Sequence, residues 1–548
     1  MGFINHFNDV LIVGARPVGL ALALDLGRRG IHSTIIERGP DTGSELLAKA
    51  SVLNERTMEF CRLLGVRDEV ANAGFPDDLP GDTVFCTGLG GKYIGRLEMP
   101  STEERGLPAQ CCEIMRRCPQ CLFDPLLARA VKRQGMAEIR YGIEFVGCEQ
   151  DDAGVTCSVR HVKGSKTEEI RACYVAGCDG PGSTVRKTLG ISFDGKDLGY
   201  ALSAIVRVED LPQHHDFGRS AECYLFIGPE GTWANFTTLD GRSFWRFSVV
   251  GSADKVDPTK LDMHDLLRKA FGRDDVEYEL MRVNQWRRSQ YTAAKFCEGR
   301  VFLAGDSSHT MSPTGGHGLN TGFGDVMSLS WMLQALLEGW GGLGLAETYN
   351  TERRPVALRN GSSSTRNHAI WIDRQGRDQI LDNGPEADEQ RRALGEKMAL
   401  NLRQEFQSLG LALGYNYADS PITVSDGSSA PPDDPEIYVQ TARPGHRAPH
   451  CWLGDGRSTI DLFGSGFVLL CIGKKEPEDQ RIMNAASVAR IPLESVLVTE
   501  VEAMALYQRQ LVLVRPDGMV AWRGDSPPDD IKALLDQVRG ASTTRNGV

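Results

Sequence analysis

The stretch Arg300 to Met332, RVFLAGDSSHTMSPTGGHGLNTGFGDVMSLSWM, decides the fold. Its opening run, Val301 to Ala304, has the composition of a buried parallel strand. The turn Gly305-Asp306 follows at the strand's carboxyl end, where open α/β sheets bind ligands. Pro313-Thr314-Gly315-Gly316-His317-Gly318 is too rich in glycine to be helical. From Leu319 the apolar residues fall at Leu319, Phe323, Val326, Leu329, Leu333 and Leu336, the spacing of one helix face. The chain thus presents an acidic turn, a run of bare backbone N–H groups and a helix N-terminus, an arrangement that attracts negative charge.

A second strand–turn–helix unit stands at the N-terminus. Asp9 to Val13 is a buried-strand run, Gly14-Ala15-Arg16-Pro17-Val18-Gly19 opens an apolar helix to about Arg29, and Ser33 to Ile36 ends in Glu37-Arg38. This is a dinucleotide-binding fingerprint with its acidic residue about twenty positions on, placed for a ribose hydroxyl. The middle glycine is replaced by Arg16, which either swings outward or pairs with a phosphate through its fork of donors. A third strand, Tyr174 to Gly177, ends in Cys178-Asp179-Gly180, with Ser183, Val185 and Arg186 following.

These segments together resemble the single-component flavin aromatic hydroxylases of the phenol hydroxylase type. Gly305, Asp306, His309, Pro313, Gly315, Gly316, Gly318, Asn320, Gly322 and Asp325 match the family's GD motif. Cys178 to Arg186 match its DG motif, and Pro119-Gln120 its strand-to-helix junction. Lys49 to Glu59 match a segment in which Lys49 replaces the usual arginine, keeping charge but not planar geometry. The resemblance implies FAD held by Gly14, Arg16, Pro17, Gly19, Glu37, Arg38, Lys49, Gln120, Asp179, Gly180, Gly305 and Asp306. Pro313 would lie near flavin C4a, with Gly316, Gly318, Leu319 and Asn320 along the pyrimidine edge. It further implies NADPH or NADH as co-substrate at a shared site, since no second fingerprint exists. The implied reaction hydroxylates a phenolic ring with O2 through a flavin C4a-hydroperoxide, a nitro or halogen substituent being displaced where the attacked carbon bears one. An epoxidase or polyketide-type hydroxylase, and a non-catalytic flavoprotein, are the alternatives.

Residues 193–290 read differently. Glu222 to Phe226 and Ser243 to Ser248 are alternating, aromatic-rich runs suited to antiparallel strands, and Asp240-Gly241 signals a hairpin. Such a sheet would roof the flavin, with Tyr224, Trp233, Trp245 and Arg246 as candidate pocket liners. His214-His215 reads as an exposed loop pair. A mostly helical stretch continues to about Leu409, and Asp419 to Pro435 is a linker by composition. From Arg443 the chain resembles the family's thioredoxin-like C-terminal domain, through Gly445, His446, Asp461, Gly464, Arg515, Pro516, Asp517, Gly518 and Trp522; no CxxC lies there.

The expected architecture is therefore α/β. A Rossmann-like FAD-binding domain spans 1–192 and 291–365, with part of the substrate domain within 76–117. An inserted antiparallel sheet spans 193–290, helix and linker 366–435, and a thioredoxin-like domain 436–540.

Composition narrows the function classes. The 548 residues are 41% hydrophobic and 24% charged with a net charge of −12, which disfavours nucleic acid. No apolar run reaches membrane-spanning length and the N-terminus lacks signal-peptide features, so a cytoplasmic location is expected. The 14 cysteines are scattered. Cys111-Cys112 and Cys118-Pro119-Gln120-Cys121 lack a second pair or histidine at ligand spacing, so no metal site is expected. The expected partners are a small phenolic substrate and O2, and a homodimer is compatible with the C-terminal domain.

Overall fold

The computed structural model describes residues 8–42, 50–164, 166–252, 262–473 and 479–541; Lys49 lies outside them. Parallel strands Val301–Leu303, Thr167–Gly177, Asn8–Val13, Ser33–Glu37 and Ala137–Tyr141 lie side by side in an eight-stranded sheet. The register sets Val13 opposite both Ile36 and Gly177, and Gly177 opposite Leu303. The turns after three strands, at Gly14, Cys178 and Ala304, therefore open onto one crevice.

Helices Pro17–Arg28 and His317–Leu337 cover the sheet on that side. The long helix starts two residues before the expected Leu319, because Gly316 adopts a left-handed φ of +66° and turns the chain directly into it. It is also buried on nearly every side from Thr321 to Ala335, not on one stripe, because the C-terminal domain packs against its far face.

The second sheet runs in the order His309–Thr310, Glu279–Ala293, Phe193–Arg207, Phe244–Ser252, Gly231–Thr238, Cys223–Gly228, Thr83–Cys86, Tyr93–Leu97. It is mixed, not purely antiparallel: Cys223–Gly228 pairs parallel with Thr83–Cys86. One face packs on helix Met263–Phe271. The other faces helices Gly344–Trp371 and Pro385–Phe406. The helical stretch expected to reach Leu409 is broken between these two, where Gly376 and Gly384 take positive φ and Pro385 starts the next helix.

The C-terminal sheet, ordered Leu493–Val498, Phe467–Ile472, Leu511–Val514, Val520–Gly524, carries helices Gln480–Val488, Val501–Tyr507 and Ile531–Val538. It shares its core with the first domain: Trp331 stacks on Trp340, and Phe467 meets both edge-on at 6.0 and 6.2 Å. Buried ion pairs cross the same boundary, Arg515 Nη1 to Glu352 at 2.5 Å and Arg447 to Glu59. The segment 419–435 lacks regular structure but is strapped down by the pairs Arg359–Asp433 and Arg523–Asp426. Among the described residues no helix is long and apolar enough to cross a membrane, and no cluster of three His, Cys, Asp or Glu side chains is placed for a metal.

Candidate active site

At the first turn the backbone has no room for side chains. A Cβ on Gly14 (φ +111°) would stand 2.4 Å from the Cys178 carbonyl oxygen, and one on Gly19 would stand 2.0 Å from that of Gly14. The Glu37 carboxylate holds the turn, accepting from Ala15 N at 3.0 Å and Gly39 N at 2.8 Å. Helix Pro17–Arg28 begins at Pro17 without a side-chain cap, so its N-terminal N–H groups face the crevice, as phosphate binding requires. Arg16 bends out of the turn: its guanidinium donates to the Thr42 carbonyl and lies 3.6 Å from Asp124. Gln120 also donates to Asp124, at 3.0 Å. Arg38 is exposed beyond the second strand.

The Gly305-Asp306 turn is fixed from behind by Asp325. That fully buried carboxylate accepts from Gly305 N at 3.0 Å and Arg353 Nε at 2.9 Å, and meets His309 Nε2 at 2.8 Å. Burial alone would raise its pKa, but the His309 and Arg353 charges and the Gly305 N–H hold it below the usual carboxylate range. Asp306 itself projects into solvent at the crevice. Asp179 turns its carboxylate to Ser183 Oγ and to the N–H groups of Thr184 and Val185, capping a short helix, with Gly180 at φ +80° beside it. Asn320 staples the loop: its Nδ2 donates to Val52 O and Gly316 O, and its Oδ1 accepts from Asn54 N. Helix His317–Leu337 also lacks a side-chain cap, leaving N–H groups beside Gly318 and Leu319. Pro313 is exposed at the lip of the loop. Two uncapped helix N-termini, the Glu37 carboxylate and three turns on one crevice fit a flavin dinucleotide.

Facing that loop across the second sheet is a polar wall. Arg288 Nη1 donates to Ser312 Oγ at 2.8 Å, and Trp286 Nε1 to Ser203 Oγ at 2.8 Å. Arg246 Nε is buried with no hydrogen-bond partner. Glu405 reaches in from helix Pro385–Phe406 and accepts from Trp371 Nε1 at 2.7 Å and Gly315 N at 3.1 Å. Burial pushes its carboxyl up to about 7, moderated by those two bonds and the charges of Arg288 and Arg117. Burial pulls Arg288 down to about 10.

Residues 8–363 match the FAD binding domain family, and 441–542 match the C-terminal domain of aromatic-ring hydroxylases. The chain belongs to the FAD-dependent aromatic hydroxylases. This hydroxylase is 32% identical to a putative polyketide hydroxylase of Streptomyces halstedii, over 95% of this chain and 94% of that one. It is 30% identical to a phenol 2-monooxygenase of Pseudomonas sp., over 97% and 92%. The rebeccamycin biosynthetic enzyme RebC with reduced flavin superposes with a TM-score of 0.89 at 36% identity, covering 98% of this chain and 99% of that one.

In the hydroxylase's sheet, three of the four pocket liners expected from sequence share one face. Tyr224, Trp233 and Trp245 point to the face covered by helix Met263–Phe271, in one cluster with Phe236 and Phe271. Strand alternation then sends Arg246 to the opposite, loop-facing side. His215 is not an exposed loop residue. It stacks on Phe217, and its Nε2 meets the Tyr224 hydroxyl at 2.8 Å. Sequence reading assigned no role to Arg288, Glu405 or Asp325; only Asp325 lay within a matched motif.

Proposed function

We propose that this hydroxylase adds oxygen to a phenolic ring, using FAD, NADPH or NADH, and O2. The single observation that carries the substrate reading is the pair of buried guanidiniums, Arg246 and Arg288, facing the Pro313–Gly316 loop, with Arg246 Nε left without a partner. An electron-rich ring is what electrophilic oxygen attacks, and a phenolate is the simplest such ring. Two cations in a low-dielectric pocket favour that anion over its phenol.

The cofactor residues divide the work. The N-terminal turn and the uncapped start of helix Pro17–Arg28 would hold the pyrophosphate, Glu37 a ribose, Asp306 the ribityl chain, and Gly316 to Asn320 the ring edge. Bound FAD supplies hydride acceptance from the nicotinamide and activation of oxygen. Arg246 Nε donates to the substrate oxygen and orients the ring. The proton released there passes to the Glu405 carboxylate, whose proton affinity near neutrality suits that exchange. Trp371 and Leu225, packed in the same cluster, keep water from the ring.

The test is a panel of phenols, chlorophenols and polycyclic hydroxyarenes, followed by NAD(P)H consumption and product mass under 18O2. One labelled oxygen in a ring-hydroxylated product is expected. Flavin that is bound and reducible, yet never places labelled oxygen in any phenol, overturns the reading.

A further inference from the structure

Along helix Gly344–Trp371, Ser364, Asn367, His368 and Trp371 recur at the spacing of a single helix face. All four are buried, Asn367 to 1% exposure. A buried helix face is ordinarily apolar; three of these four positions are polar. The face is pinned to the flavin-side loop at both ends. Ser364 O accepts from Thr314 Oγ1 at 2.7 Å, and Trp371 reaches the loop through Glu405 and Gly315 N. Between those ties stand Asn367 and His368, the latter close enough to Arg288 for that charge to add to burial in lowering its pKa to about 4. The imidazole is therefore neutral at working pH.

Asn367 Oδ1 and Nδ2, His368 Nδ1 and Ser364 Oγ are all buried without a hydrogen-bond partner. Folded proteins satisfy nearly all such atoms, and here four lie on adjacent turns, with His368 beside the Arg288 guanidinium. An amide with both ends open calls for a ligand edge that offers a donor and an acceptor together. A carboxylate offers acceptors alone, and a plain phenol satisfies one end only.

We propose that Asn367 is a specificity-determining residue that reads a keto-phenol edge as the substrate docks, before its hydroxyl ionises, its Oδ1 accepting from the ring hydroxyl and its Nδ2 donating to the neighbouring ring carbonyl. The assignment rests on the phenolic reading above and narrows it, to aromatic substrates that carry a hydroxyl beside a carbonyl. Ser364 Oγ and His368 border the same edge and supply further polar contacts to it.

The experiment compares binding of 1-hydroxyanthraquinone, anthraquinone and 1-naphthol to the FAD-loaded protein, by the change in flavin absorbance and fluorescence. The wild type should bind 1-hydroxyanthraquinone about tenfold or more tighter than either partner lacking one group, the usual consequence of stranding a buried polar atom. Asn367→Leu should bring the three within about threefold of one another while 1-naphthol affinity and FAD content stay near wild type. Asn367→Asp, which keeps the shape and loses the donor, should weaken 1-hydroxyanthraquinone by about tenfold and serves if the leucine variant does not fold. A FAD-loaded Asn367→Leu or Asn367→Asp protein with wild-type discrimination overturns the proposal and leaves the amide to water. A wild type that hydroxylates 1-naphthol but shows no preference for the keto-phenol overturns this proposal alone. A protein that neither binds nor oxygenates any of the phenols overturns the phenolic reading, and this proposal with it.

Discussion

The cofactor crevice and the proposed substrate pocket sit on opposite sides of one loop, 313–316, and they are built on opposite rules. In the crevice three side chains that shape the backbone are satisfied within the protein: Asp325 serves three partners, Asn320 three, and Glu37 two. In the pocket, Arg246 Nε, both ends of the Asn367 amide and His368 Nδ1 are buried without partners. A satisfied network makes a rigid frame, whereas unsatisfied groups are directed at something that arrives. Substitutions in the two regions should therefore fail differently, stability suffering in one and substrate use in the other.

The largest effect should come from the frame's outer support. Deleting residues from 436 onward strips the partners of Glu352 and Glu59 and uncovers Trp331 and Trp340. The sequence pattern suggested a detachable domain, but a shared core means the remainder should not fold. A monomeric, FAD-binding truncation with a cooperative melting transition would refute this.

Next comes a contrast within the Gly305 turn itself. Asp325→Ala leaves Arg353 buried and unpaired and should cost about 3–5 kcal/mol in denaturant unfolding. Asp306→Ala, at an exposed position, should change stability by less than about 0.5 kcal/mol while FAD retention falls. Equal stability losses in the two would erase the distinction between frame and ligand contact.

The frame was legible in the sequence and the pocket was not, for a physical reason. Gly14, Gly19, Gly305 and Gly316 are dictated by backbone crowding or by a positive φ that other residues rarely adopt, so they leave a fixed-offset pattern. Glu405 and the Ser364 carbonyl, one turn before Asn367, meet the loop from helices about 90 and 50 residues further along the chain, and polar residues there read as ordinary solvated helix positions until the packing is known. Alternation in Glu222 to Phe226 and Ser243 to Ser248 announced a two-faced sheet. It could not say that helix Met263–Phe271 claims the aromatic face and leaves Arg246 on the loop-facing side. The ion pairs of 419–435 are likewise tertiary, so composition alone reads that strap as linker.

Arg246→Met should then sharpen the pocket side of the comparison. It removes the guanidinium whose Nε has no partner without opening a cavity, so unfolding should shift little. Oxygenation of a phenol should fall about 10- to 100-fold in kcat/KM, the worth of one charged hydrogen bond to an anion. Loss of stability without loss of kcat/KM would move Arg246 from the pocket into the frame.

The smallest effect concerns the one residue that belongs to both regions. Glu405 ties the loop through Gly315 N and also stands beside Arg288, with its carboxyl at about 7. Its pKa is raised in the folded protein above the ordinary carboxylate value, so between those two values the folded state binds more protons than the unfolded one. Stability must then fall as pH rises through that window, by about 1–2 kcal/mol between roughly pH 5.5 and 7.5. Activity should run the other way, because only the carboxylate can take a proton from the substrate hydroxyl, giving an acid limb near pH 7 in kcat/KM. Glu405→Gln keeps an oxygen for one of the two donors and cannot ionise. It should flatten the stability slope and remove the acid limb together. Flattening of stability with an unchanged acid limb would mean that Glu405 only braces the loop, and that the proton leaves the pocket by another route.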